Sequence, residues 1–130
     1  MSPGMLGAGV TMVGLGVVGV VAAIVPWNAQ MFLTATKLGP ALAAGCSVIL
    51  KASEISPVAM LEFARLIDEA GFPAGVVSVI TGDAENCAIP LTSHPDIDRI
   101  AFTGGPDTAR HVVRNSANNF AVTTLELGGK

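Results

Sequence analysis

The sequence predicts an α/β fold, a parallel sheet with helices on both faces. Three observations carry the prediction. Short β-rich runs alternate with segments of helical apolar spacing along the 130 residues, and such alternation means parallel strands joined by right-handed crossovers. The runs are nearly continuous in apolar residues, as strands covered on both faces are. Glycine and proline punctuate the joins, with no linker or low-complexity tract between them.

The elements follow in order. "GVVGVVAAIVPWN" reads as a buried strand over Val17–Val25, ended by Pro26. "AQMFLTATKLGPALAAG" has helical apolar spacing at Met31, Ala35 and Leu38, with Pro40 near its middle or end. Ser47–Lys51 ("SVILK") is a short strand. Ser56 is the expected cap of the next helix, with Pro57 as its first residue and Gly71 and Pro73 as its stop. Val76–Gly82 ("VVSVITG") is a strand, and a short helix is expected over Glu85–Leu91. Arg99–Gly105 ("RIAFTGG") is a strand entering a glycine turn. Pro106 then opens a helix to about Val113, and Ala121–Leu127 ("AVTTLEL") is the last strand.

Composition narrows the class. The chain is 51% hydrophobic and 13% charged, whereas an ordinary soluble domain is about a quarter charged. Such a chain is membrane-associated, oligomeric or a piece of something larger. The run from Met5 to Pro26 is apolar except for Thr11 and has about the length of a membrane span, so an anchor is a second reading of it. Its many glycines and valines, and the lack of a closely flanking basic residue, favour the strand. A net charge of −3 without a basic run argues against a nucleic-acid partner. Cys46 and Cys87 form neither a disulfide framework nor a metal spacing, which is compatible with a reducing cytoplasm. His94 and His111 have no zinc spacing and read as surface residues, so no metal site is expected.

In a parallel sheet, ligands bind at the carboxyl ends of the strands. The residues there are Trp27 and Asn28, Lys51 to Glu54, Gly82 and Asp83, Thr103 to Gly105, and Glu126 to Gly129. "FTGGP" sets two glycines between a strand and a helix, where free amides attract phosphate, although a bare glycine pair is as often a tight turn. Lys51 can reach a ribose or phosphate, or be solvated. Glu54 can bind a ribose diol, or simply favour the start of the next helix. Asn28 can act in a site or be a turn residue. Glu126 lies between two leucines, and burial there would raise its pKa toward that of a general base. A solvent-facing strand position is the alternative.

Together these segments resemble one family. "VGVVAAIVPWNAQ", "KLGPALAAGCSVILKASE", "DEAGFPAGVVSVITG", "HPDIDRIAFTGG" and "LELGGK" are similar, in order and spacing, to signature segments of the NAD(P)-dependent aldehyde dehydrogenases. The resemblance covers about Gly16 to Lys130 and leaves residues 1–15 unassigned. It implies a Rossmann-like, incomplete NAD(P)-binding domain from an enzyme that oxidises an aldehyde to a carboxylic acid through a thioester. Asn28 matches the oxyanion donor and Glu126 the base. Lys51 and Glu54 match the residues holding the adenosine ribose. Gly104 and Gly105 lie where the pyrophosphate approaches the helix. Ile24, Val25, Pro26 and Trp27 match the strand end lining the cofactor cleft, and Gly82 and Leu127 complete the cofactor set at their strand ends. NAD is expected rather than NADP, full-length members are oligomeric, and the nucleophilic cysteine is expected outside this chain, leaving it inactive alone. Ala52 stands where the family usually has proline, and Gly105 where it commonly has serine. A non-catalytic nucleotide-binding or interaction remnant is the alternative function.

Overall fold

The structure, a computed structural model, describes residues 19–128. Five strands, β1 (Val20–Ile24), β2 (Ser47–Ala52), β3 (Val77–Thr81), β4 (Arg99–Thr103) and β5 (Val122–Glu126), alternate with four helices. These are α1 (Gln30–Ala43), α2 (Val58–Glu69), α3 (Ile89–Ser93) and α4 (Pro106–Ser116). All pairings are parallel, in the order β3-β2-β1-β4-β5. The chain lays strands outward from β1 on one side, then returns to its other side for β4 and β5. Strand order therefore reverses between β1 and β4, and connections leave the sheet in opposite directions there, opening a crevice at the strand ends.

The two-residue period of the strands sorts side chains between two cores. Val21, Ala23, Val48, Leu50 and Ala52 face one side, under Leu38 of α1 and Met60 of α2. Ala22, Ile24, Ile100 and Phe102 face the other, against Leu91 of α3 and Ala109 and Val112 of α4. Leu50 and Ile100 are fully buried, each contributing about 1.5–3 kcal/mol by its removal from water. The layers are the expected Rossmann-like ones, with helices on both faces.

The strands lie within three residues of their expected ends, and three helical boundaries differ from the sequence reading. Pro57, not Ser56, occupies the cap position of α2, and no side chain caps that helix. The Pro57 carbonyl accepts from the amides of Met60 and Leu61, each at 3.0 Å, while the Ser56 carbonyl is turned toward Gln30. The expected helix over Glu85–Leu91 is a wide turn over Ala84–Ala88 that continues into α3. In it the Ala88 amide reaches back five residues to the Asp83 carbonyl at 3.2 Å, a register that single-residue propensities do not reveal. Helix α4 runs to Ser116, whose hydroxyl donates to the Val113 carbonyl at 2.8 Å.

The apolar run from Met5 to Pro26 is only partly described. Its segment Val20–Ile24 is the central strand, while Met5 to Val18 lie outside the described residues. Among the described residues no helix is long and apolar enough to cross a membrane.

Candidate functional site

The strand ends bring together residues far apart in sequence. At the end of β1, Ile24 and Val25 are buried, Pro26 is half-buried, and Trp27 and Asn28 are exposed. Sheet pairing continues one step past β1, with the Val25 amide donating to the Lys51 carbonyl at 3.2 Å. Ala29 then takes a left-handed backbone, φ 51, to turn into α1. Asn28 is thus held at the mouth of the crevice by a buried strand on one side and a constrained turn on the other.

Lys51 is 7% exposed, so the reading of a solvated lysine does not hold. Its Nζ donates to Glu54 Oε2 at 2.7 Å. That bond, with backbone amide donation, holds the Glu54 carboxyl below the usual carboxylate range. Glu54 is half-exposed, so the pair adds at most ~1 kcal/mol to stability. Its consequence is orientational: a fixed carboxylate with free lone pairs stands at the crevice edge beside a partly buried ammonium.

Gly82 and Asp83 end the neighbouring strand. A Cβ on Gly82 would stand 2.7 Å from that of Cys87, so glycine here permits a close backbone approach. Asp83 accepts from the Asn86 amide at 2.7 Å, which lowers its pKa and starts the wide turn. Burial raises the pKa of Cys87.

On the other side of β1, the Gly104 amide donates to the Glu126 carbonyl at 3.1 Å. A Cβ on Gly104 would lie 2.6 Å from the Phe102 ring. Gly105, in extended conformation, caps α4, and a Cβ there meets nothing within 4 Å. Open space at Gly105 therefore lies at the amino end of α4, where free helix amides attract anions.

Glu126 pairs in register with Thr103. Of the two readings of Glu126, the solvent-facing strand position holds and the buried one does not: Glu126 is exposed, and Leu125 and Leu127 do not enclose it. The strand alternation that turns Leu125 toward α4 turns Glu126 to the opposite face, where α1 and α2 cover β1, β2 and β3 and reach only the near side of β4. Over β4 and β5 that face is an open trough of about 830 Å³, lined by Phe32, Leu33 and Pro40 from α1 and by Ala101, Val122 and Glu126 from the sheet.

Lys37 is a site residue that sequence reasoning missed. It projects from α1 into this trough and donates from Nζ to Thr103 Oγ1 at 2.7 Å. Burial lowers its pKa, and the carboxylate of Glu126 opposes the shift. The only hint in the sequence is an isolated charge in an otherwise uncharged stretch. The lowered pKa has a sign that can be tested. At neutral pH both states carry the proton and the cost of the buried charge is fully present. As pH rises from the folded-state pKa toward the unfolded value of 10.5, the folded state releases its proton first and stability increases. In Lys37→Met that gain is absent, and urea unfolding of both proteins across the alkaline range measures the difference.

The fold and its strand-end cluster define a Rossmann-like domain with a ligand crevice at the switch between β1 and β4. The chain belongs to the aldehyde dehydrogenase family, whose sequence model matches residues 8–130. It is 69% identical over 113 residues to (Z)-2-((N-methylformamido)methylene)-5-hydroxybutyrolactone dehydrogenase of Acinetobacter baylyi, covering 87% of this chain and 23% of that protein. It is 51% identical over 114 residues to the NADP/NAD-dependent aldehyde dehydrogenase PuuC of Escherichia coli, with 87% and 23% covered. The crystal structure of an aldehyde dehydrogenase from Bartonella henselae superposes with TM-score 0.83 at 44% identity, over 86% of this chain and 24% of that one. PnpE in complex with nicotinamide adenine dinucleotide gives TM-score 0.83 at 47% identity, over 86% and 23%. The chain thus spans about a quarter of the length of these relatives.

Proposed function

We propose that this chain is the cofactor-binding part of an NAD-dependent aldehyde dehydrogenase that oxidises an aldehyde to a carboxylic acid. The observation that carries the proposal is the Lys51–Glu54 pair at 2.7 Å, set at the end of β2, next to the β1 end whose following turn carries Asn28. The amino end of α4 beside Gly104 and Gly105 and the carboxylate of Glu126 stand on the far side of the same crevice. The donor set fits a dinucleotide. Lys51 and Glu54 hold the adenosine ribose, and the amides beyond Gly104 and Gly105 face the pyrophosphate. Ile24, Val25, Pro26 and Trp27, with Gly82 and Leu127, form the walls.

NAD, when bound, supplies the hydride acceptor. The remaining steps belong to side chains. A cysteine thiolate from another part of the family chain attacks the aldehyde carbon, and the Asn28 amide donates to the oxyanion that develops. Glu126 takes a proton from the water that hydrolyses the resulting thioester. Lys37 places a cation at the end of the trough that Glu126 lines. The apolar trough that ends at Lys37 and Glu126 is the approach for the aldehyde. A cytoplasmic, oligomeric enzyme is the setting this reading implies, with the trough covered by the rest of the polypeptide.

Cofactor preference tests the reading. A carboxylate at Glu54 accepts from the two ribose hydroxyls and repels a 2′-phosphate, so NAD binds more tightly than NADP. Glu54→Gln removes the repulsion and one strong acceptor, and the gap narrows by about 1–2 kcal/mol. Titration of both cofactors against both proteins measures it; equal affinities in the unsubstituted protein contradict the assignment of Glu54.

A further inference from the structure

Gln30 opens α1 and is 7% exposed. Its Nε2 donates to the Trp27 carbonyl at 2.9 Å and to the Ser56 carbonyl at 2.7 Å. Its Oε1 is buried without a partner. The reverse amide orientation would set Oε1 against two carbonyl oxygens, so the amine end must face them. An orphaned buried acceptor is a cost to the fold, which the start of one helix does not account for.

What the two bonds join is more telling. Trp27 immediately precedes Asn28, and Ser56 lies two residues after Glu54. Both carbonyls sit in loops that leave adjacent strand ends, 26 residues apart on the Gln30–Ser56 side. Between Asn28 and Gln30, Ala29 holds a left-handed backbone, which a residue with a Cβ keeps only where its surroundings impose it. Gln30 supplies that constraint by gripping the Trp27 carbonyl from beyond the strained residue. Without the clasp, the turn carrying the exposed Asn28 is held only at its two ends, by β1 and by the Leu33 amide on the Ala29 carbonyl, with nothing tying it to the Glu54 loop.

We propose that Gln30 is a positioning residue that couples the Asn28 loop to the Glu54 loop, so that filling the ribose subsite sets the placement of the Asn28 amide. The inference rests on the cofactor reading above. AMP separates the two, because it carries the adenosine ribose without the nicotinamide half. Trp27 is the single tryptophan of the chain, so its emission reports on the Asn28 loop.

The experiment titrates AMP into the 130-residue chain, with affinity read by calorimetry and the Asn28 loop by Trp27 emission. In the unsubstituted chain AMP binds and shifts the emission. In Gln30→Met, which keeps the side-chain volume and loses both donors, AMP affinity stays within about threefold while the emission response falls about fivefold or more, as a lost coupling between sites requires. A response unchanged in Gln30→Met, with AMP still bound, overturns the coupling and leaves the cofactor reading standing. Failure of AMP to bind the unsubstituted chain overturns the cofactor reading and the coupling with it. Where Gln30→Met does not fold, the unsubstituted chain decides by NMR. The Gln30 side-chain amide protons exchange slowly and AMP slows them further; rapid exchange unaffected by AMP overturns the clasp.

Discussion

Glu126→Gln, in a family-length protein carrying this segment, slows hydrolysis of the acyl-enzyme by about 10²–10⁴-fold and leaves the first hydride transfer visible as a burst. Asn28→Ala acts one step earlier. It removes a donor aimed at the oxyanion, worth about 10²–10³-fold, and no burst appears. Rapid-quench or stopped-flow detection of NADH separates the two outcomes, and a burst in Asn28→Ala contradicts its assignment. The 130-residue chain alone forms no NADH from any aldehyde. Its thiols are misplaced: Cys46 precedes β2, at the opposite edge of the sheet from the strand ends. Cys87 lies beyond β3 and Glu126 on β5, four strand spacings apart in the sheet order, about 19 Å. Burial also holds Cys87 in its thiol form. NADH formation that is lost in Cys46→Ser or Cys87→Ser would overturn this view of both residues.

Gly104→Ala destabilises the fold by about 1–3 kcal/mol, the cost of forcing a methyl into a filled core, while the same change at Gly105 is close to neutral. A Cβ on Gly104 meets three Phe102 ring atoms at 2.6 to 3.3 Å. Phe102 is 3% exposed and packed among Ile24, Ile100 and Ala109, so the ring has nowhere to retreat. Gly105 has open space instead. A shortened partner, Phe102→Leu, recovers part of the loss when combined with Gly104→Ala, although it costs stability by itself. Denaturant unfolding of the four proteins measures the coupling directly. Additive losses would mean that the ring does move aside.

These two glycines show what the sequence could and could not express. "FTGG" marked a strand entering a turn, and that reading holds. Nothing in the string separates a glycine required by an aromatic ring from one facing open space, because the ring's direction depends on the β4 pairing. The strands were legible for a simple reason. A strand covered on both faces must be apolar at every position, and Val20–Ile24 is. Lys51 and Glu54 were legible one by one as residues at a strand end, but their ion pair was not. Lys37 was not legible, since its partner Thr103 is 66 residues away and meets it only once α1 lies over the β1–β4 junction. The sequence left Glu126 open between burial and a solvent-facing position for the same reason. Two flanking leucines imply burial only when both sheet faces are covered, and the face that Glu126 shares with the trough is open.

Strand order also dictates what a ribosome must deliver before the sheet can close. The edge of β1 that faces β4 waits for a partner 78 residues downstream, the separation between Val20 and Asp98. At about 5–20 residues per second, that partner arrives roughly 4–16 seconds later. Strands β1, β2 and β3 can meanwhile assemble under α1 and α2 as a half-sheet. Its exposed margin is the apolar β1 segment VVAAI, with unpaired amides along it. A nascent chain stalled before residue 99 should therefore be a strong ligand for holdase chaperones. One extended past residue 126 should release them as β4 docks, so the crevice is assembled last, at the seam that closes the sheet.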